Sequence, residues 1–164
     1  MRPLVVLPTY NEAANVEEVV VRIRRALPEA DVLVVDDNSP DGTADVVDKV
    51  AAAVGRVHLM RRPGKGGLGN AYRSGFRWGL ERGYDAFVEM DADLSHDPDA
   101  LPSLIRGLEE ANLVIGSRYV PGGSIPNWAL HRRLLSEAGN RYASLALGLD
   151  VRDLTSGYRV YDST

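Results

Sequence analysis

Apolar residues are spaced in two different patterns along the first 120 positions of the chain. Five short runs are apolar almost throughout, and they predict strands at 4–7, 31–37, 57–60, 84–90 and 113–119. Between these runs the apolar residues recur every three or four positions, which predicts helices at 16–27, 46–54 and 68–82 and a fourth that begins at Asp97 and Pro98. Buried strands that alternate with helices favour an α/β fold with a mostly parallel sheet covered on both faces.

Polar side chains gather where three of the predicted strands end. They are Tyr10, Glu12, Asp36, Asp37, Asp91 and Asp93. In open α/β sheets, ligands bind beyond the carboxyl ends of the strands. The pattern therefore predicts a ligand site at this edge of the sheet.

Asp91 and Asp93 follow the fourth predicted strand with one residue between them. Because side chains alternate along a strand, the two carboxylates should point roughly the same way. Carboxylates this close repel each other, and a hard divalent cation such as Mg²⁺ or Mn²⁺, which takes oxygen ligands and substrate phosphates, relieves that repulsion. The pair predicts a metal and diphosphate site, and the alternative is an acidic turn that faces solvent.

A glycine-rich segment, Gly64 to Gly69, fits the dinucleotide-binding pattern G-x-G-x-x-G, and Glu89 and Asp91 follow at about the distance of a ribose-binding acid. In the dinucleotide fold, however, these glycines lie in the first strand-to-helix turn, which here reads PTYNE. An NAD-dependent enzyme is therefore a weaker alternative. Basic residues in this segment and just before it favour a loop that faces phosphate: Arg61, Arg62 and Lys65.

The character of the chain changes after residue 120. A flexible loop at 121–124 precedes an apolar helical stripe at 128–145, which is flanked by His131 and three arginines. This basic amphipathic segment either packs on the sheet or lies against an anionic membrane surface.

Composition narrows the class of protein. The chain has 164 residues, 45% of them hydrophobic, which suits a single domain with a proper core. Its net charge of -4 gives no reason to expect a nucleic-acid partner. The lack of cysteine excludes disulfides and thiolate chemistry and fits a reducing, cytoplasmic compartment. No run approaches the roughly 20 apolar residues of a membrane span, so we expect any membrane anchor to lie outside the chain.

Five motifs occur in an order that resembles a known family. They are 8–12 (PTYNE), 35–43 (VDDNSPDGT), 90–96 (MDADLSH), 116–119 (GSRY) and 155–159 (TSGYR). Together they resemble the catalytic domain of the dolichol-phosphate, or polyprenyl-phosphate, mannosyltransferases within glycosyltransferase family 2. The resemblance implies a GT-A type, Rossmann-like sandwich and an inverting transfer of mannose from GDP-mannose to a lipid phosphate. Similar enzymes continue past Thr164, so we expect residues 1–164 to form one catalytic domain shortened at its C-terminus.

The resemblance also implies roles for individual residues. Those that would hold the nucleotide are Pro8, Tyr10, Glu12, Val35 and Asp37. Those that would bind the Mg²⁺ or Mn²⁺ ion and the diphosphate are Asp91, Ala92 and Asp93, with Ser95 joining the metal ligands directly or through water. Those that would receive the lipid phosphate are Arg118, Arg132 and Ser136. The implied setting is peripheral, at the cytoplasmic face of a membrane, through direct contact or a membrane-anchored partner.

Simple chemistry agrees with the implied acceptor. A phosphate acceptor is already anionic and needs no general base, whereas guanidinium groups such as Arg118 and Arg132 meet it through two parallel hydrogen bonds. Asp91, Asp93 and Arg118 are therefore the candidate catalytic residues. Three alternatives stay open: a polyprenyl-phosphate glucosyltransferase, a family 2 enzyme with a hydroxyl acceptor and a carboxylate base, and a non-catalytic module that binds nucleotide sugars.

Overall fold

The computed structural model describes residues 1–117, 153 and 155–163, and in these ranges strands and helices alternate along the chain. The strands are β1 (Pro3–Thr9), β2 (Asp31–Asp36), β3 (Val57–Arg61), β4 (Ala86–Glu89), β5 (Leu113–Ile115) and β6 (Arg159–Asp162). The helices are α1 (Val16–Ala26), α2 (Thr43–Val54), α3 (Leu68–Leu80) and α4 (Leu101–Gly107), the last preceded by a 3-10 turn at Pro98–Ala100.

All six strands belong to one sheet, in the order β3-β2-β1-β4-β6-β5. Strands β1 to β4 are parallel, and β6 inserts antiparallel between β4 and β5. The parallel strands direct their carboxyl ends to one edge, so the loops after β1, β2 and β4 meet there. The mostly parallel α/β sheet predicted from the sequence is confirmed.

The sheet is covered on both faces, as its apolar strands require. Alternation along β1 sends Val5 and Leu7 into a core shared with α1, α2 and α4, while Leu4 and Val6 pack under α3. Two glycines let α3 lie very close to the strands. A Cβ added at Gly75 would lie 2.5 Å from Val6 Cγ1, and one added at Gly79 would lie 2.5 Å from Phe87 Cε1.

The helices and strands predicted within the described residues are confirmed, although some bounds differ. The predicted strand at 113–119 is too long, since β5 ends at Ile115 and Gly116 packs against the Tyr158 ring, 2.8 Å from the position of an added Cβ. The helix predicted from Asp97 and Pro98 begins there as a 3-10 turn, and the Asp97 carboxylate accepts the backbone N–H of Asp99 at 3.2 Å.

The loop at 121–124 and the amphipathic segment at 128–145 lie outside the described residues. Within the ranges that are described, no helix combines the length and apolar character needed to cross a membrane.

Candidate functional site: a cleft at the strand ends

A cleft of about 240 Å³ opens beyond the carboxyl ends of β1, β2 and β4. It is lined by Pro8, Thr9, Tyr10, Glu12, Asp37, Lys65, Gly67, Leu68, Ala71, Asp91, Ala92 and Asp93. The fold thus brings together seven of the residues that the sequence nominated: Pro8, Tyr10, Glu12, Asp37, Asp91, Ala92 and Asp93. Two nominated residues lie elsewhere, since the Val35 side chain is fully buried in the core under α3 and Ser95 is exposed beyond the lining.

Asp36 fastens the ends of β1 and β2 to each other. Its buried carboxylate accepts the Thr9 hydroxyl at 2.9 Å and the Ser39 hydroxyl at 2.6 Å. The Ser39 backbone N–H adds a third hydrogen bond at 3.0 Å. Because these partners occupy it, Asp36 is a structural residue that holds the rim of the cleft in place.

The loop after β1 is held by the loop after β2. The backbone N–H of Glu12 donates to the Thr43 hydroxyl, and that of Ala13 donates to the Asp41 carboxylate, both at 3.0 Å. Hydrogen bonds, first from the Thr43 side chain and then from backbone N–H groups, hold the pKa of Asp41 below its ordinary value. This cross-link sets Tyr10 and Glu12 at the cleft, and the sequence marked residues 38–43 only as a turn and a helix cap.

Asp37 is engaged by the glycine-rich segment. Its carboxylate accepts the Gly66 backbone N–H at 2.9 Å and lies 2.8 Å from Arg62 Nη1. Only 8% of the Asp37 side chain is exposed. The predicted nucleotide-binding residue therefore also anchors the loop that forms one wall of the cleft.

Of the three basic residues expected to face phosphate, Lys65 alone lines the cleft. Its ammonium lies 4.3 Å from the centre of the Tyr10 ring, a cation-π contact. Arg61 instead pairs with Asp48, and Arg62 pairs with Asp37. The segment follows the edge strand β3 rather than the first strand, so it does not have the dinucleotide-binding arrangement.

Asp91 contacts two side chains from different parts of the chain. The Tyr72 hydroxyl of α3 donates to Oδ1 at 3.3 Å, and His96 Nε2 lies 3.4 Å from Oδ2. Burial, and next the negative charge of Asp91, raise the pKa of Tyr72, so the phenol keeps the proton that it donates. Periodicity places Tyr72 on the buried face of α3 but gives no sign of this contact.

Asp93 is the more exposed of the two carboxylates and accepts the backbone N–H of Ser95 at 2.9 Å. Burial raises its pKa, but hydrogen bonds from Ser95 outweigh that effect, and the pKa of Asp93 lies below its ordinary value. Asp93 is therefore fully ionised at neutral pH. Throughout residues 1–117, 153 and 155–163, no three His, Cys, Asp or Glu side chains converge as a metal site.

The TSGYR motif packs behind the aspartates. Tyr158 stacks on His96 with ring centres 5.0 Å apart, and its hydroxyl donates to the Asp97 carbonyl at 3.0 Å. The Ser156 hydroxyl donates to the Gly116 carbonyl at 2.7 Å. This motif thus supports the loop that carries Asp91 and Asp93, a role that the sequence did not reveal. The candidate acceptor residues Arg118, Arg132 and Ser136 lie outside the described residues.

We compared the chain with known protein families, curated proteins and solved structures. Residues 4–164 match the family described as Glycosyl transferase family 2. The chain is 55% identical over 161 residues to an undecaprenyl-phosphate mannosyltransferase from Micrococcus luteus, covering 98% of this chain and 66% of that protein. It is 51% identical over 162 residues to a polyprenol monophosphomannose synthase from Mycolicibacterium smegmatis, covering 98% of this chain and 61% of that protein. The chain thus spans less than two thirds of each relative.

A solved structure shares the fold. The mannosyltransferase PcManGT from Pyrobaculum calidifontis, in complex with GDP-Man and Mn²⁺, matches with a TM-score of 0.67 and 21% identity over 98% of this chain and 44% of that one. This likeness confirms the expected GT-A type sandwich.

Proposed function

Because the chain belongs to glycosyl transferase family 2, we propose that it transfers mannose from GDP-mannose to a polyprenyl phosphate, with inversion at the anomeric carbon. The observation that carries the proposal is the convergence of Tyr10, Lys65, Asp91 and Asp93 on one cleft at the strand ends. The names of the two curated relatives, which describe mannosyl transfer to polyprenyl or undecaprenyl phosphate, support the choice of sugar and acceptor. We further propose that residues 1–164 form the catalytic domain.

The two carboxylates suit a divalent cation that is shared with a diphosphate. Asp91 and Asp93 both line the cleft, and an ion held by two carboxylates keeps coordination positions for phosphate oxygens and water, as Mg²⁺ and Mn²⁺ sites usually do. Asp91 and Asp93 would hold the ion, with Ser95 near the second of them. When bound, the cation supplies positive charge where the leaving diphosphate becomes negative.

The other residues position the donor. The hydrogen bond from Tyr72 orients Asp91, and His96 Nε2 lies 3.4 Å from the other carboxylate oxygen, so Asp91 is already placed before the donor arrives. Lys65, whose ammonium rests over Tyr10, adds a positive charge to the wall of the cleft and suits the donor phosphates. Asp37 holds the backbone of Gly66 and thereby keeps this wall near the nucleotide.

The acceptor is the part of the proposal that rests on residues 118–136. Arg118 and Arg132 would steer the lipid phosphate to the donor, with Ser136 beside them, since guanidinium groups pair with phosphate through two parallel hydrogen bonds. An isoprenoid acceptor resides in a membrane, so the protein would work at the cytoplasmic face, through peripheral contact or a membrane-anchored partner.

A transfer assay with paired acceptors tests this function. We would offer a short polyprenyl phosphate and the corresponding unphosphorylated alcohol, with GDP-mannose or UDP-glucose as donor and Mn²⁺ or Mg²⁺ present. Mannose should reach only the phosphate. Replacement of Arg118 or Arg132 by Ala should weaken use of the acceptor about ten- to a hundredfold and spare donor binding, because charge-assisted hydrogen bonds contribute about 1.5–3 kcal/mol.

Two outcomes would contradict the proposal. Equal transfer to the alcohol would favour a family 2 enzyme with a hydroxyl acceptor, and a preference for UDP-glucose would favour a glucosyltransferase. The conservative variant Arg118→Lys serves as the control, since it keeps the charge, loses the planar fork and should restore only part of the activity.

A further inference from the structure

A second pocket, which we call the α3 pocket, lies on the outer side of α3. Its volume is about 270 Å³, and it is lined by Arg62, Asn70, Arg73, Ser74 and Arg77. None of these residues lines the cleft at the strand ends. The proposed transfer reaction makes no use of this pocket.

The α3 pocket concentrates positive charge in a chain whose net charge is negative. Three guanidinium groups line it and no carboxylate does. Asp37, which lines the cleft, neutralises the charge of Arg62 through an ion pair. Arg73 and Arg77 are exposed and have no ion pair within the part of the chain that the structure describes. Like charges four residues apart on a helix destabilise it, so this pair costs stability unless an anion lies between them.

The walls of the α3 pocket are held in place before any ligand binds. The ion pair with Asp37 fixes Arg62, whose side chain is only 16% exposed. The Asn70 amide donates to the Gly66 carbonyl at 2.7 Å, and the Ser74 hydroxyl donates to the Asn70 carbonyl at 2.8 Å. Arg73 and Arg77 extend from the same helix face as Asn70, since residues three and four apart share a face.

We propose that the α3 pocket binds a phosphate group, with Arg73 and Arg77 as the main ligands and Arg62 at its base. Guanidinium forks match phosphate oxygens in shape and charge, and three such groups in one small pocket suit a phosphomonoester or a diphosphate. The site is separate from the nucleotide cleft and does not depend on the proposed transfer activity. Its phosphate could come from a soluble molecule or from a lipid headgroup, and the two arms of the experiment distinguish these sources.

The first arm titrates the protein with inorganic pyrophosphate in the presence of a metal chelator. Binding is followed by the NMR signals of the arginine Nε–H groups. The signals of Arg73 and Arg77 should move, and the double variant Arg73→Gln/Arg77→Gln should bind pyrophosphate about ten- to a hundredfold more weakly, because it loses charge-assisted hydrogen bonds. Both residues are exposed and their charges repel each other, so this variant should not lower the melting temperature.

Matched variants distinguish specific binding of pyrophosphate from nonspecific electrostatic attraction to the protein. The variant Arg25→Gln/Arg106→Gln removes the same charge from α1 and α4, which pack on the opposite face of the sheet, and should bind like the parent. Arg73→Lys/Arg77→Lys keeps the charge and should restore only part of the affinity. Full binding by the lysine variant, or equal loss in the Arg25/Arg106 control, would overturn the proposal.

The variant Lys65→Ala tests whether pyrophosphate binds in the nucleotide cleft instead of the α3 pocket. If Lys65→Ala abolishes pyrophosphate binding while the Arg73/Arg77 glutamine variant retains it, the anion occupies the nucleotide cleft and the proposal is wrong.

In the second arm, the protein is sedimented with phosphatidylcholine vesicles that contain or lack phosphatidic acid. Binding that needs both phosphatidic acid and the two arginines identifies a lipid headgroup, and binding of pyrophosphate alone identifies a soluble phosphate.

Discussion

The guanidinium of Arg62 lies 2.8 Å from the carboxylate of Asp37, with only 16% and 8% of the two side chains exposed. This ion pair joins the loop between β3 and α3 to the residue that follows β2. Removing one partner of a largely buried pair leaves an uncompensated charge. The pair therefore holds one wall of the cleft, and Arg62 belongs to the α3 pocket as well.

Replacement of Arg62 by Met should lower the free energy of unfolding by about 3 kcal/mol, because Asp37 is then left buried without its cation. Arg61→Met provides the control, since Arg61 pairs with Asp48 at the surface and both side chains are more than half exposed. The control should cost less than about 1 kcal/mol. Urea denaturation measures both, and equal losses would show that burial of the Arg62 pair has no special effect.

Asp91→Asn and Asp93→Asn should each abolish transfer and leave the folded state intact, because either change removes a charge that would hold the cation and diphosphate. In a thermal-shift experiment with GDP and Mn²⁺, both variants should lose the stabilisation that depends on the metal. Asp99→Asn, whose side chain is 71% exposed on the 3-10 turn, is the control and should behave as the parent. Full turnover by either cleft variant would exclude the proposed metal site.

Glu89 should make stability depend on pH in a recognisable direction. Burial, which outweighs hydrogen bonding from Tyr161 and the charge of Arg159, raises the pKa of Glu89 above its ordinary value of 4.5. The folded state therefore binds this proton more tightly than the unfolded chain does. The resulting stabilisation is complete below pH 4.5 and is lost as the pH rises through the folded-state pKa.

The variant Glu89→Gln should remove this contribution and flatten the curve of melting temperature against pH in that window. Glu18→Gln, an exposed carboxylate on α1, is the matched control and should leave the curve unchanged. A curve for Glu89→Gln that is parallel to that of the parent would contradict the raised pKa.

Gly79→Ala should destabilise the protein by about 1–3 kcal/mol, because the new methyl group would lie 2.5 Å from Phe87 Cε1 and 2.7 Å from Leu4 Cδ2. Gly69→Ala in the first turn of the same helix meets no atom within 4 Å and should stabilise it by up to about 1 kcal/mol. Opposite signs in thermal or urea unfolding would confirm that close packing of α3, and not helix propensity, requires glycine at position 79.

The sequence by itself determined the class of fold and the location of the cleft. Apolar runs and helical spacing are local properties, so they predict the alternation of strands and helices without knowledge of contacts. Once the strands are parallel, the residues after them must share one edge of the sheet, and Tyr10, Asp37, Asp91 and Asp93 were placed together on that ground. The family motifs pointed to the same residues.

Only the tertiary structure decided which distant groups meet. The partnership of Asp37 with Arg62, the contact of Tyr72 with Asp91, and the insertion of β6 between β4 and β5 all join parts of the chain that no local pattern relates. The α3 pocket also depends on packing. Arg62, which follows β3, lines the same pocket as the arginines of α3 only once α3 is packed on the sheet. Periodicity specifies the face on which a side chain lies, whereas its partner depends on the packing of whole elements against each other.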